Sequence, residues 1–269
     1  MSLRGIRAGL SRHIILVCAI ILTTTLFTTL FTIGTNTIDA FQRYTMMQSG
    51  GDGHAALRFI DNETYDTITQ HPLISDITYE CILADSIENP ELSKRHGELW
   101  YKDDVSIRLR FLELLEGNWP ETENEIATDI QTLELLGIEP IIGNQVPLNY
   151  TVNGVPKQKT FTLSGYWIGD RTDSQSMFLT SRAYLDNNQD VFSPERPTGV
   201  VTGSIISVIK FNNSSNIESK LAQVISDSGY ETFDETTPNY VDSTILWTYL
   251  SSNLSNNTGT LLSLIIVLI

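Results

Sequence analysis

The sequence predicts an α+β protein: an N-terminal transmembrane helix, then an extracytoplasmic domain in which a split βαβ part carries an inserted β-rich part. Three observations predict it. A charge-free run of twenty residues, Ile14 to Ile33, lies near the N-terminus. Two strand–helix–strand patterns stand far apart in the chain. Alternating apolar residues and a strong hairpin turn fill the space between them.

The apolar run comes first. At about 1.5 Å per residue, Ile14 to Ile33 makes roughly 30 Å of helix, the thickness of a bilayer's hydrocarbon core. Only Cys18 and six threonines interrupt its aliphatic and aromatic side chains. A threonine hydroxyl can bond a carbonyl one turn back, which makes it tolerable in lipid. A cleaved signal peptide would have an apolar core of about 7–15 residues and an A-x-A-like site. Gly34-Thr35-Asn36-Thr37 offers no such site. A buried helix of a water-soluble protein would be polar on one side, and this run is not.

The flanks set the orientation. Arg4, Arg7 and Arg12 precede the run, and no acid does. Cytoplasmic flanks carry the Lys/Arg excess. Residues 1–13 are therefore expected inside, 14–34 in the membrane and 35–258 outside the cytoplasm. From Asp39 onward, 14 of the 17 basic residues face all 32 acids, a net of −18. That argues against nucleic acid as a partner and against lying flat on anionic lipid. It reads as a solvated acidic surface, with attraction of a cationic peptide as the bolder alternative. The two cysteines, Cys18 and Cys81, fall on opposite sides of this division and are not expected to pair. Sequons at Asn62, Asn149, Asn212, Asn213, Asn253 and Asn256 matter only in a host that glycosylates.

The outer elements follow in order. Residues 38–48 contain no breaker and continue the first helix, until Gly50-Gly51-Asp52-Gly53 stops it. Residues 54–60 read as a strand. Asp61 or Asn62 caps a short helix, Glu63 to about Gln70, ahead of Pro72. Ile77, Tyr79, Cys81 and Leu83 alternate with more polar neighbours and predict a long second strand. The far unit repeats the pattern. Residues 205–211 form a strand, Ser215-x-x-Glu218 is a capping box, Ile217, Leu221, Val224 and Ile225 share a helical face, and Gly229 ends the helix. Tyr230 to Phe233 begins the next strand. Two such units can share one sheet.

Within the insertion, Leu99 to Phe111 reads as one strand. Ile130 to Leu136 reads as a short helix closed by Gly137. Val146–Val152 and Thr160–Tyr166 read as strands around the turn Asn153-Gly154. Met177–Leu179 is a short strand, and Ser181 to Leu185 a helical turn. From Asn239 the chain turns helical, as a stalk returning to the membrane. The apolar run Leu261–Ile269 is half a span and is expected to open a second transmembrane helix; a short apolar tail is the alternative.

No sequence motif for a reaction stands out. There is no G-x-x-x-x-G-K-[ST], G-x-S-x-G or H-E-x-x-H. His13, His54, His71 and His96 lack metal-ligand spacing. Asp186-Asn187-Asn188-Gln189-Asp190 opens like a calcium loop, but Val191 and Pro197 stand where Gly and Glu are needed. Asp103-Asp104 and Glu121 to Glu125 read as solvated carboxylates. No catalytic residue, cofactor site or metal site is expected, and the chain is not expected to be an enzyme. Thr25, Thr29 and Thr32 fall on one stripe of the span. Such a stripe suits close helix–helix packing, and equally a lipid-facing helix whose hydroxyls bond its own backbone.

Four features together resemble the FtsX-like, MacB-type permeases, the type VII ABC transporter permeases. They are the basic N-terminus feeding a threonine-rich span that ends Phe31-Thr32-Ile33-Gly34, and the turn Gly50 to His54. The third is the run Glu116-Gly117-Asn118-Trp119-Pro120, Asn124-Glu125-Ile126-Ala127, Leu135-Leu136-Gly137-Ile138 and Ile142-Gly143-Asn144. It is similar to the family's G-x-x-P, NEI, LGI and IGD run, with Asn144 in the place of Asp. The last is the outer domain's return to the membrane by a stalk. The resemblance implies a porter-like part (35–91 and 200–238), a β-rich insertion (92–199), a stalk (239–258) and the start of a truncated second span (259–269). It implies a permease subunit in a cell membrane that couples ATP hydrolysis by a separate cytoplasmic ATPase to movement of the outer domain. Such movement serves efflux of peptides or antibiotics, lipoprotein extraction or mechanotransmission, in a homo- or heterodimer of permeases. A two-span membrane sensor with an outer ligand-binding domain is the competing class.

Overall fold

The computed structural model describes residues 3–48, 51–169, 175–189, 202–230 and 241–242. The chain divides into two units, before and after Gln48.

The first unit is one helix, α1 (Leu3–Gln48). Its segment Arg12–Thr37 is long and apolar enough to cross a membrane, and none of that segment is buried. Leu22 and Phe31 are each 71% exposed. The hydroxyls of Thr23, Thr24, Thr28 and Thr29 donate to the carbonyls of Ala19, Ile20, Thr24 and Thr25 at 2.7–2.8 Å. These four hydroxyls are thus satisfied inside the helix, as hydrocarbon requires.

The second unit is built on a sheet with, among the described residues, twelve strands. They are β1 (Ala55–Ile60), β2 (Ile74–Ile77), β3 (Glu80–Ile82), β4 (Ser86–Ile87), β5 (His96–Lys102), β6 (Leu114–Gly117), β7 (Glu125–Asp129), β8 (Gln145–Val152), β9 (Val155–Trp167), β10 (Gln175–Thr180), β11 (Ile205–Phe211) and β12 (Val241–Asp242). Among the described residues five α-helices accompany them: α2 (Asn62–Thr69), α3 (Asp104–Leu109), α4 (Ile130–Leu135), α5 (Arg182–Asn187) and α6 (Ile217–Ser228).

The order β12-β1-β11-β3, with β2 also on β11, is antiparallel throughout. It is the split βαβ arrangement, in which each strand of one unit lies beside a strand of the other. Helices α2 and α6 cover one face, where Leu57, Ile68, Ile209, Phe211, Leu221 and Val224 form a core. Asp61 caps α2 by accepting from the Thr64 N–H at 2.7 Å. Gly229 closes α6 at φ 68°. The Ser215/Glu218 capping box is not formed. Asn216 is the N-cap instead, in the left-handed region and with no side-chain cap bond. Ser215 is drawn away to the Asn213 carboxamide, at 2.5 Å.

The sheet continues through β5-β10-β7-β9-β8-β4 and curls until Ile87 of β4 lies against Gly97 of β5. A second core fills the curl, with Leu99, Phe161, Leu163 and Phe178 fully buried. Phe178→Ala there should cost about 3–5 kcal/mol. The turn forms at Asn153 (φ 50°) and Gly154 (φ 73°), as expected, although β9 starts at Val155 and not at Thr160.

Three expectations need correction. The long strand over Ile77–Leu83 is broken into β2 and β3. Thr78 turns its hydroxyl to the Val208 N–H (2.8 Å), so the ladder is interrupted there. The strand expected over Leu99–Phe111 ends at Lys102, and α3 follows. Asp103 caps it by accepting from the Ser106 N–H at 2.8 Å. Ser106 and Leu109 are its buried positions, three apart as on a helix face and not two apart as on a strand. The stalk helix does not begin at Asn239, because Val241–Asp242 pair with Leu57 and Ala56. The remainder of the stalk, residues 231–233 and the run Leu261–Ile269 lie outside the described residues.

Candidate functional site

Two places carry the residues singled out by sequence. The first is the run from Glu116 to Asn144, which folds as a belt fastened to β9. Gly117 sits at φ 86°, where an added Cβ would collide with the Ser164 carbonyl and lie 2.9 Å from Gly165 Cα. The Asn118 N–H then donates to Ser164 O at 2.8 Å. Glu125 accepts from the N–H groups of Glu121 and Thr122, both at 2.8 Å. Those bonds, with Thr122's the stronger, hold its carboxyl below the usual range. Ile126 and Ala127 enter the core. Gly137 ends α4 at φ 69°, and the Gly143 N–H donates to Leu163 O at 2.9 Å. Asn144 donates its amide to Glu139 O (3.0 Å), a bond that an aspartate could not make. Every part of the run therefore has a structural role. Trp119, leaning on Trp167 at 5.9 Å between centroids, remains half-exposed.

The second place is the turn Gly51–His54, at the start of the described part of the sheet unit. Gly51 has φ 117°, and a Cβ there would lie 2.7 Å from Leu109 O. The Asp52 N–H donates to that same carbonyl at 2.8 Å, and Lys210 Nζ donates to Asp52 Oδ2 at 2.5 Å. Val208 leaves no room for a side chain at Gly53. The His54 N–H donates to Ile209 O at 2.8 Å. Its ring stacks on Phe211, and its Nδ1 accepts from the Phe211 N–H at 3.0 Å, which leaves the ring proton on Nε2. Burial lowers its pKa.

Behind this joint lies a buried ion cluster. Glu80 is wholly buried, and its carboxylate accepts from Lys102, from Arg110 Nε and Nη2 (3.0 and 2.8 Å) and from Ser106 Oγ (2.7 Å). Burial pushes its pKa up, but the Arg110 and Lys102 charges overcome this and hold it well below the carboxylate range. Burial, then the neighbouring Arg110 charge, pull Lys102 down to about 8. Lys102 also stands 4.0 Å above the Trp100 ring. The cluster ties α3 to the sheet. Its only signal in the sequence is Glu80 at a strand position between apolar residues.

The remaining predicted residues are dispersed. His13 is exposed on α1, and His71 Nε2 lies 3.2 Å from Asp227. His96 is exposed beside Glu98. Among the described residues, no group of His, Cys, Asp or Glu forms a metal site. Asp186 pairs with Arg182 at 2.8 Å. Asp103 is not solvated as expected. It caps α3, accepts from the Tyr79 N–H at 3.0 Å, and its pKa is raised by burial. Cys18 and Cys81 are unpaired, and burial raises the Cys81 thiol to about 12.

No family model and no curated protein matches the chain. It is similar to the periplasmic region of MacB from Actinobacillus actinomycetemcomitans, with 14% identity, a TM-score of 0.43, and 77% of this chain and 95% of that one covered. It is also similar to the extracellular domain of the ABC-type transporter YknZ from Gram-positive bacteria, with 10% identity, a TM-score of 0.41, and coverage of 65% and 86%. Neither likeness assigns a role to any residue.

Proposed function

We propose that the chain is part of a permease subunit, anchored by Arg12–Thr37, whose outer domain is moved by a separate cytoplasmic ATPase. The observation that carries this reading is the Glu116–Asn144 run. Its family-like residues are the ones that need positive φ, cap a loop or enter the core, so they preserve a particular fold and not a reaction. The joint at Gly51–His54 supports it. A backbone bond to Leu109, an ion pair to Lys210 and two glycines without room for Cβ fix residues 51–54 to the sheet.

Two experiments test the proposal. The full protein in native membranes should co-purify with a P-loop ATPase, and its presence should raise or couple that ATPase's turnover. Association with a histidine kinase instead would refute it. Orientation is tested with Cys18→Ser and Cys81→Ser as background and Glu134→Cys on the exposed end of α4. An impermeant thiol reagent should label intact cells; protection until lysis would reverse the assigned side.

A further inference from the structure

Strands β5 and β10 run parallel, side by side, with Tyr101 opposite Thr180. Their carboxyl ends lead to helices on opposite faces of the sheet. After Lys102 the chain enters α3, which bonds through Ser106 to Glu80 on the face that carries Trp100. After Thr180 it enters α5, whose Tyr184 and Leu185 join Leu99 and Phe178 on the other face. Where neighbouring parallel strands send their connections to opposite faces, nothing covers the strand ends and a crevice opens. Here it is a cleft of about 340 Å³, lined in part by Tyr101, Asp104, Trp119, Glu121, Leu179 and Arg182. That volume is at the lower end of ligand sites and suits one or two side chains.

The charges in the cleft are unequal in availability. Arg182 donates to Asp186 at 2.8 Å and its guanidinium lies over Tyr79 and Tyr101, 5.1 and 5.7 Å from their centroids. Lys102 is committed to Glu80. The exposed carboxylates of Asp104 and Glu121 accept no hydrogen bond from any described residue. The cations are matched and two anions are not. Trp119 and Leu179 supply an aromatic and an aliphatic wall beside them. A cation on an apolar stem fits such a surface, with its charge at the carboxylates and its stem or charge against the indole. The protein's net charge of −15 draws it in.

We propose that this switch-point crevice binds an amphipathic cation, specifically a Lys or Arg side chain of a peptide with apolar neighbours. The assignment concerns the folded domain and needs no ATPase partner, so it stands or falls apart from the permease reading. The test uses the full chain, labelled with 5-fluorotryptophan, in phosphatidylcholine nanodiscs. The Trp119 resonance is identified with Trp119→Phe. Ac-Leu-Lys-Leu-Lys-amide should shift that resonance saturably, less so as salt rises, and Ac-Leu-Glu-Leu-Glu-amide should not. Asp104→Asn with Glu121→Gln, both at exposed positions, should weaken binding about tenfold without changing the far-UV circular dichroism. Equal response to both peptides, no shift at millimolar basic peptide, or undiminished binding by the double variant would each overturn the proposal.

Discussion

The apolar helix and the sheet solve the same problem, that of a polar group away from water, in different ways. In α1 the hydroxyls of Thr23, Thr24, Thr28 and Thr29 turn back on their own helix. Nothing else is required, because neighbours one turn apart are supplied by the helix itself. In the sheet, Glu80 is satisfied by Lys102, Ser106 and Arg110, which are local to none of its own element. The first solution is local and survives any arrangement of partners. The second exists only once β3, β5 and α3 have come together. A local solution is robust to substitution, and a tertiary one fails when any member is lost.

Between the two solutions, the larger expected effect is therefore in the cluster. Glu80→Ala leaves two cations facing each other and should cost about 3 kcal/mol in denaturant unfolding. Replacing Glu80, Lys102 and Arg110 together with Met should cost much less, since no charge is then stranded. Equal losses in the two variants would break the comparison. The pH dependence sharpens it. Glu80 has a folded pKa below its unfolded 4.5, so its contribution is present above that value and is lost as pH falls further. Lys102 falls from 10.5 to about 8, so the folded state binds fewer protons and stability rises between those values, until tyrosine ionisation near 10.0 opposes it. Glu80→Gln should flatten the acid limb, and Lys102→Met the alkaline rise.

Next comes the membrane side. Leu22→Arg should raise the cost of insertion by about 3 kcal/mol, read as the fraction of chains spanning the bilayer. At the joint, Gly51→Ala should cost about 1–2 kcal/mol, because φ 117° and the Leu109 carbonyl both exclude a Cβ. The smallest effect belongs to the threonines. Thr24→Val and Thr28→Val should change insertion by less than about 0.5 kcal/mol, for each removes only an internal bond. Thr25→Leu with Thr29→Leu separates the two readings of the stripe. Lost self-association in bilayers supports helix packing, and unchanged association supports a lipid-facing helix.

How much was legible follows the same division. The Asn153-Gly154 hairpin, the cap at Asp61 and the closing Gly137 were readable because turn and cap chemistry is contained within a few residues. Residues 103–109 were misread as strand, since Val105, Ile107 and Leu109 do alternate. The helix wins because Asp103 caps it and Ser106 reaches Glu80. The Ser215/Glu218 box was misread for the opposite reason: the motif is present, but Asn213 holds the serine. The crevice at β5 and β10 was invisible, because sequence does not say which strands become neighbours.

The sequence by itself determined the apolar span, the acidic excess after it, the local turns and the strand–helix patterns at residues 55–69 and 205–228. These depend on composition and on contacts a few residues long. Only the tertiary structure decided that β1 and β11 interleave, that Glu80 is buried with two cations, and that β5 and β10 part company at a cleft. Each of these joins residues far apart in the chain, and no local propensity encodes such a meeting.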